Sequence, residues 1–344
     1  MKRFLRSQAS AALVSRVSVS TMARRGGAGA APFLVAGAVS LALSGPAQAL
    51  VINPTFVGVS AAAQTAFNFA ASEFQNLFTD PITINITVAT GTTGLGGSST
   101  PLQFVVGNYT GVRNALIADN TAHPSVDGNT SVNAGGSVNT ATDPTGGGTF
   151  LMSFAEAKAV GLRAANDAAS DGTFTYNSTL AYSFDPNNRA VAGEYDFTGV
   201  AEHEISEIMG RIPGLGVSFC PTCGTDYLPY DLFRYTGNNT RGLTNGNNIY
   251  FSINNGVTNL HGYNFPNGNG SDPQDWDASN PADSFDAFTN TNQAHSITAS
   301  DITALDVIGY DLRAQQAVPE PASLVLLGTA LVGLGVLRRR RKAA

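Results

Sequence analysis

The sequence predicts an α+β domain in which a few well-patterned helices and strands precede a long loop-rich C-terminal half. Three observations carry this. Apolar residues recur at helical spacing between Ser60 and Phe78, they alternate singly across residues 82–88, and they return to helical spacing at 198–210 and 299–311. Between the last two helices the chain is dominated by Gly, Asn, Asp and Pro.

In chain order, Ser60 can cap the first helix, whose buried face is Phe67, Ala70, Ala71, Phe74, Leu77 and Phe78 before Asp80-Pro81 ends it. Ile82, Ile84, Ile86 and Val88 then predict a half-buried strand. "TGLGGSST" (93–100) reads as a flexible loop, 112–117 as a short helix, and 127–148 as a polar loop. Ser153-x-x-Glu156 predicts a capping box opening a helix to about Leu162. "GTFTYNSTLAYSF" shows strand alternation at Phe174/Tyr176 and at Leu180/Tyr182/Phe184. Thr198 opens the next helix and Gly210 can end it as a C-cap. Short strands such as "IYFSI" interrupt the loops of 214–296, and a helix with Ser300 as its expected cap closes the domain, with Ile302, Leu305 and Ile308 on its inner face.

Both ends read as processing segments rather than fold. Residues 1–49 hold six basic and no acidic residues, an apolar run from Ala30 to Leu43, and a small-x-small site at Ala47-Gln48-Ala49, as a secretory signal peptide does. At the other end (318–344), the apolar run Ala322 to Leu337 is short for a membrane span and is closed by the basic cluster Arg338 to Lys342. With Val318-Pro319-Glu320-Pro321 before it, this segment closely resembles a PEP-CTERM sorting signal. The resemblance implies a Gram-negative envelope, signal peptidase and an exosortase as partners during export, transient membrane contact through the C-terminal segment, and delivery to the cell surface or extracellular matrix. The remaining body, 50–317, holds eight basic and 24 acidic residues, a formal charge of −16. That charge argues against nucleic acid as a partner. About 270 residues suffice for one well-filled core.

Cys220 and Cys223 are the sole cysteines, and in an oxidising compartment a small disulfide loop is the first expectation for them. Redox chemistry would need a helix N-terminus in a βαβ unit, and metal ligation by the pair ranks third.

The chemistry concentrates in "AEHEISEIMGR" (201–211). On a helix His203 and Glu207 project from one face and can hold one ion. Glu204 points about 100° away, beside the ion, where a general base takes a proton from water that the ion activates. A site of two His and one Glu is an accepted zinc set. Taken alone, H-E-x-x-E also suits an ordinary surface helix.

Gly210 and three spaced motifs add to it. Gly210 stands seven residues after His203, "YDLFRY" follows at 230–235, Asp275-Trp276 after that, and "ALDVIGYD" at 304–311. In this order they resemble the metzincin metalloproteases, above all the long-insert branch of leishmanolysin-like enzymes and secreted bacterial relatives. The resemblance covers roughly 50–312 and implies a twisted mixed sheet packed on helices, the active helix at 198–210, zinc as cofactor, and a peptide or protein as substrate. Carried over by position, it makes Glu204 the catalytic base and His203, Glu207 and Asp275 the metal ligands. The departures are specific: Glu207 replaces the second histidine, Asp275 matches a His-Trp position, Pro213 fills the place of the third ligand in compact members, and no methionine follows Met209. Phe285 or Phe288 is a candidate to pack beneath the metal instead.

One histidine and two carboxylates would bring a divalent ion to about zero net charge and so weaken its pull on water. Such a set also suits harder ions, Mn²⁺ or Ca²⁺, beside zinc. His261 and His295 are alternative third ligands that would restore a two-His, one-Glu set; His123 is the least suited. Asp272, Asp275, Asp277, Asp283 and Asp286 form either a solvated acidic loop or a structural Ca²⁺ site, and Trp276 reads as a packing anchor. Two functions follow. One is an exported cell-surface metallopeptidase whose substrate pairs along an edge strand near Tyr176 to Phe184. The other is a catalytically degenerate relative serving as a structural or binding component of the envelope or matrix.

Overall fold

The computed structural model describes residues 49–313 apart from 105–106, 124–129, 220–223, 266–270 and 279–281. The signal segment, the sorting segment and the Cys220/Cys223 pair lie outside the described residues. Among those described, no helix is long and apolar enough to cross a membrane.

The chain runs β1 (Val51–Val57), α1 (Ala61–Leu77), β2 (Thr83–Gly91), β3 (Gly96–Ser99), β4 (Leu102–Phe104), α2 (Tyr109–Ala122), β5 (Thr149–Ser153), α3 (Phe154–Ala159), β6 (Gly172–Asn177), β7 (Tyr182–Ser183), β8 (Tyr195–Asp196) and α4 (Phe197–Ile208). After α4, among the described residues, come a 3₁₀ turn (Pro229–Phe233) and short strands, β9 (Asp226–Tyr227), β10 (Arg234–Gly237), β11 (Thr240–Arg241), β12 (Tyr250–Phe251) and β13 (His261–Gly262), before α5 (Ala299–Asp306). This is an α+β architecture with a loop-rich second half.

The main sheet has the order β1-β2-β6-β3, with β1, β2 and β6 parallel and β3 antiparallel on β6. Its inner face is the alternation of Ile84, Ile86 and Val88 with Phe174 and Tyr176. Helix α1 forms where expected, with the Ser60 hydroxyl oxygen accepting the Ala63 N–H. It packs on α4, and α4 packs on β3 and β6. Phe67 of α1 stacks on Phe174 at 5.9 Å.

Several expectations need correction. "TGLGGSST" is not a loop throughout, because 96–99 form β3; its composition hides a strand whose pairing with β6 is non-local. The Tyr176 region is not an edge. β6 is paired on both sides, so β3 is the antiparallel edge beside α4. The helix cap before α5 is Thr298 rather than Ser300, and the Thr298 N–H donates to Asp301 Oδ2 at 3.0 Å. At α3 half of the capping box forms. The Ser153 hydroxyl oxygen accepts the Glu156 N–H at 3.0 Å, but neither carboxylate oxygen of Glu156 has a hydrogen-bond partner among the described residues.

Both ends of α4 are clamped by distant segments. At its start Phe197 meets Tyr176 edge-on at 5.0 Å and Phe184 at 4.8 Å, which is the use made of the aromatic alternation. At its end Gly210 turns at φ +119°, and a Cβ there would lie 2.9 Å from Glu156 Oε2. Tyr310, in "ALDVIGYD", donates its hydroxyl to the Met209 carbonyl at 2.7 Å. In "YDLFRY", Asp231 Oδ2 accepts the N–H groups of Gly214, Leu215 and Leu228, fixing the turn that leaves α4.

Two predictions follow from this frame. A Cβ at Gly96 would sit 2.8 Å from Val200 Cγ1 and 2.9 Å from Glu204 Oε1. Gly96→Ala is therefore expected to cost about 1–3 kcal/mol of overpacking, read as a lower denaturant midpoint with an unchanged slope. Burial raises Glu156 well above the usual carboxylate range, and burial raises Asp231 to about 6 against its backbone donors. Groups raised on folding stabilise the protein below their unfolded pKa, and that contribution fades as pH rises through the folded value. The thermal midpoint is expected to rise from pH 8 to pH 5, and Glu156→Gln to flatten that rise by lifting the pH 8 end.

Candidate metal centre

Helix α4 sets His203 and Glu207 one turn apart on the face that meets the loop carrying Asp275. His203 Nε2 lies 3.3 Å from Asp275 Oδ1 and 3.6 Å from Glu207 Oε1. One donor atom from each of the three falls within 4.8 Å of the others. Two donors bonded to one ion at about 2.1 Å lie roughly 3 to 3.5 Å apart, so this spacing fits a small divalent cation. The imidazole is oriented for the same purpose. Its Nδ1 is 3.0 Å from the Ser284 carbonyl oxygen, which can only accept, so Nδ1 carries a proton and Nε2 is the ring atom turned to the carboxylates.

Each carboxylate is held by a neighbour. Gln274 donates Nε2–H to Glu207 Oε1 at 2.7 Å, and the Ser98 hydroxyl of β3 donates to Glu207 Oε2 at 2.7 Å. Arg211 donates Nη1–H to Asp275 Oδ1 at 2.9 Å while its Nε–H reaches the Ser206 hydroxyl at 2.8 Å. Its guanidinium also lies 4.4 Å from the centre of the Phe285 ring. Trp276, fully buried as expected of a packing anchor, donates its indole N–H to Asp301 Oδ1 of α5 at 2.7 Å and so fixes the residue after Asp275. Arg234 of "YDLFRY" grips the Pro273 carbonyl at 2.5 Å.

Arg211, Gln274 and Ser98 were not evident from the motif. Arg211 changes the charge balance: with its +1 beside two carboxylates, a bound divalent ion would leave the centre near +1, not the zero that three ligands alone suggest. The signal was present, because a body with eight basic residues spends one of them directly after Gly210.

Electrostatics follow burial. Desolvation would raise Glu207, but hydrogen bonding and the charge of His203, then Arg211, bring it down to about 2. Desolvation, the largest single influence, would lower His203, but the charge of Asp275 together with hydrogen bonds to Asp275 and Glu207 raises the ring well above its usual value. Glu204 is pushed well above the carboxylate range by desolvation and then by Glu207. It is 6% exposed, and its Oε2 has no hydrogen-bond partner among the described residues.

A cavity of about 250 Å³ opens over these groups, lined among others by Leu95, Gly96, His203, Glu204, Asp275 and His295. His295 is on this wall but outside the donor cluster: its Nδ1 faces the Thr289 hydroxyl at 3.1 Å and its N–H donates to Asp196 Oδ2. His261 is also outside it, stacked on Trp276 at 4.8 Å with Nδ1 3.0 Å from the Gly262 carbonyl. Phe288 is 55% exposed, and Phe285 packs under Arg211. Among the described residues, no three of the loop carboxylates Asp272, Asp275, Asp277, Asp283 and Asp286 converge on one point. Asp283 and Asp286 instead accept loop N–H groups.

Residues 317–341 match the family model of the PEP-CTERM protein-sorting motif. No curated protein and no solved structure matches the chain. The motif marks proteins exported in Gram-negative bacteria to the cell surface or extracellular matrix, and it is the element an exosortase recognises during that export.

Proposed function

We propose that the 50–317 body is a metal-dependent endopeptidase of the cell surface, with a metzincin-like active helix and a peptide or protein as substrate. The observation that carries this reading is the convergence of His203, Glu207 and Asp275 donor atoms beside a cavity that His203, Asp275 and Glu204 line. The family resemblance points to zinc, and the two carboxylates extend the range to Mn²⁺ and Ca²⁺. When bound, the ion would supply Lewis-acid polarisation of a peptide carbonyl and of water. The chain's own residues do the rest. Glu204, unpaired at one oxygen and walled by Gly96, is positioned to hold and pass a proton. Arg211 keeps Asp275 oriented and offsets one carboxylate charge. The edge strand β3 offers backbone groups against which an extended peptide can pair.

One observation favours a second reading, a degenerate relative acting as a structural or binding component. With His203 protonated, the pairs His203 to Asp275 and Arg211 to Asp275 and Glu207 form a buried network that is neutral with no ion in it.

Elemental analysis and a peptide-cleavage assay on the purified protein and on Glu204→Gln separate the two. The first reading expects metal in both and cleavage reduced by at least about 10²-fold in the variant, since general-base catalysis contributes 10²–10⁴-fold. Metal in neither protein would sink it. Arg211→Met leaves buried carboxylates short of a cation and is expected to cost the metal-free protein about 3–5 kcal/mol. Under the first reading, adding Zn²⁺ recovers more midpoint in the variant than in the parent; under the second it recovers none.

A further inference from the structure

A second cluster gathers where three segments distant in sequence meet. Asp119 and His123 sit one turn apart at the end of α2, and Asp311 follows α5. His123 Nδ1 lies 3.4 Å from Asp119 Oδ1 and 3.2 Å from Asp311 Oδ2, with all three donors within 4.8 Å of one another. Asp80, in the turn after α1, borders this group without joining its three converging donors: its Oδ2 accepts the Asp311 N–H at 3.0 Å. Asp80 is 1% exposed, yet its Oδ1 has no hydrogen-bond partner among the described residues. Desolvation raises Asp80, and the charges of Asp311 and Asp119 both add to that rise.

Ion pairing with histidine alone does not account for this. A protonated His123 brings one positive charge against the Asp119 and Asp311 carboxylates and leaves one negative charge in excess, with Asp80 bordering them. The nearest arginine in sequence, Arg313, is turned away to the carbonyls of Gln75 and Asn76. An orphaned buried carboxylate oxygen is costly, and it lies beside two further buried carboxylates that share one imidazole. A divalent cation bound by a neutral imidazole balances the Asp119 and Asp311 carboxylates, and the 3.4 and 3.2 Å separations from His123 fit bonds of about 2.1 Å.

We propose that Asp119, His123 and Asp311 form a second divalent-cation site, bordered by the orphaned Asp80 carboxylate, that clips the end of α2 to the chain after α5. One imidazole with carboxylates suits a first-row ion such as Mn²⁺ or Zn²⁺ better than Ca²⁺, whose ligands are oxygens. The role is structural: the clip closes the domain at residue 311, just ahead of the sorting segment. His123, which the sequence ranks last as a ligand, is here because α2 continues to Ala122 and carries it one turn beyond Asp119.

The test uses the full-length chain stripped with EDTA and titrated with MnCl₂, with bound equivalents counted by electron paramagnetic resonance and the thermal midpoint followed. His123→Ala and Asp119→Asn should each bind one equivalent fewer than the parent and lose part of the Mn²⁺-induced midpoint rise. His203→Ala should keep that part, so failure of the first centre and failure of this one are read separately. The His123 side chain is 49% exposed, so its removal leaves the core intact. Asp119→Asn removes a repelling charge, so its midpoint without Mn²⁺ should equal or exceed the parent's. If both variants bind as many equivalents as the parent and keep its full midpoint shift, the second site is overturned.

Discussion

Arg211 is fully buried, and the ion pair it makes with Asp275 at 2.9 Å is the contact on which the candidate centre depends. A guanidinium taken out of water must be met by carboxylate and hydrogen-bond acceptors, or the fold loses several kcal/mol. That demand brings a loop more than sixty residues away onto the end of α4 and holds it there. The same loop is tied twice more, through Arg234 to Pro273 and through Trp276 to Asp301. The three ties explain why motifs far apart in the chain converge: each supplies one fastening for the segment that carries Asp275.

Helix α4 is held as a rigid bar. Its start is wedged by the aromatic rings of β6, β7 and the segment after β7, and its end is stopped at Gly210 over Glu156 and under the Tyr310 hydroxyl. With both ends fixed, His203, Glu204 and Glu207 take their directions from helical geometry alone. β3 then comes close enough to pin Glu207 through Ser98 because Gly96 has no side chain to collide with Glu204.

The scarcity of cationic side chains shapes the rest. Of the basic residues in the body, Lys158, Arg211 and Arg234 are almost wholly buried, each spent on an internal carboxylate, carbonyl or ring. What remains outside is strongly acidic, and carboxylates gather around few basic partners both at the candidate centre, where Arg211 and His203 serve, and at the Asp119–Asp311 pair, where His123 does. A chain with this balance has physical reason to use metal cations where others use lysine and arginine.

Local pattern alone determined a good part of this protein. The α1 helix and its Ser60 cap, the Ile82-to-Val88 strand, the helix that pairs His203 with Glu207 and the C-terminal sorting segment all rest on periodicity or on contiguous motifs, so a linear reading reaches them. The pairing of β3 with β6, the cap at Thr298, the placing of Asp275 rather than His261 or His295 beside His203, and the fastening by Arg211 were decided by tertiary structure. Each of these is a meeting of segments far apart in sequence, made because a buried charge or an open backbone edge had to find its partner. No spacing along the chain records which partner that is.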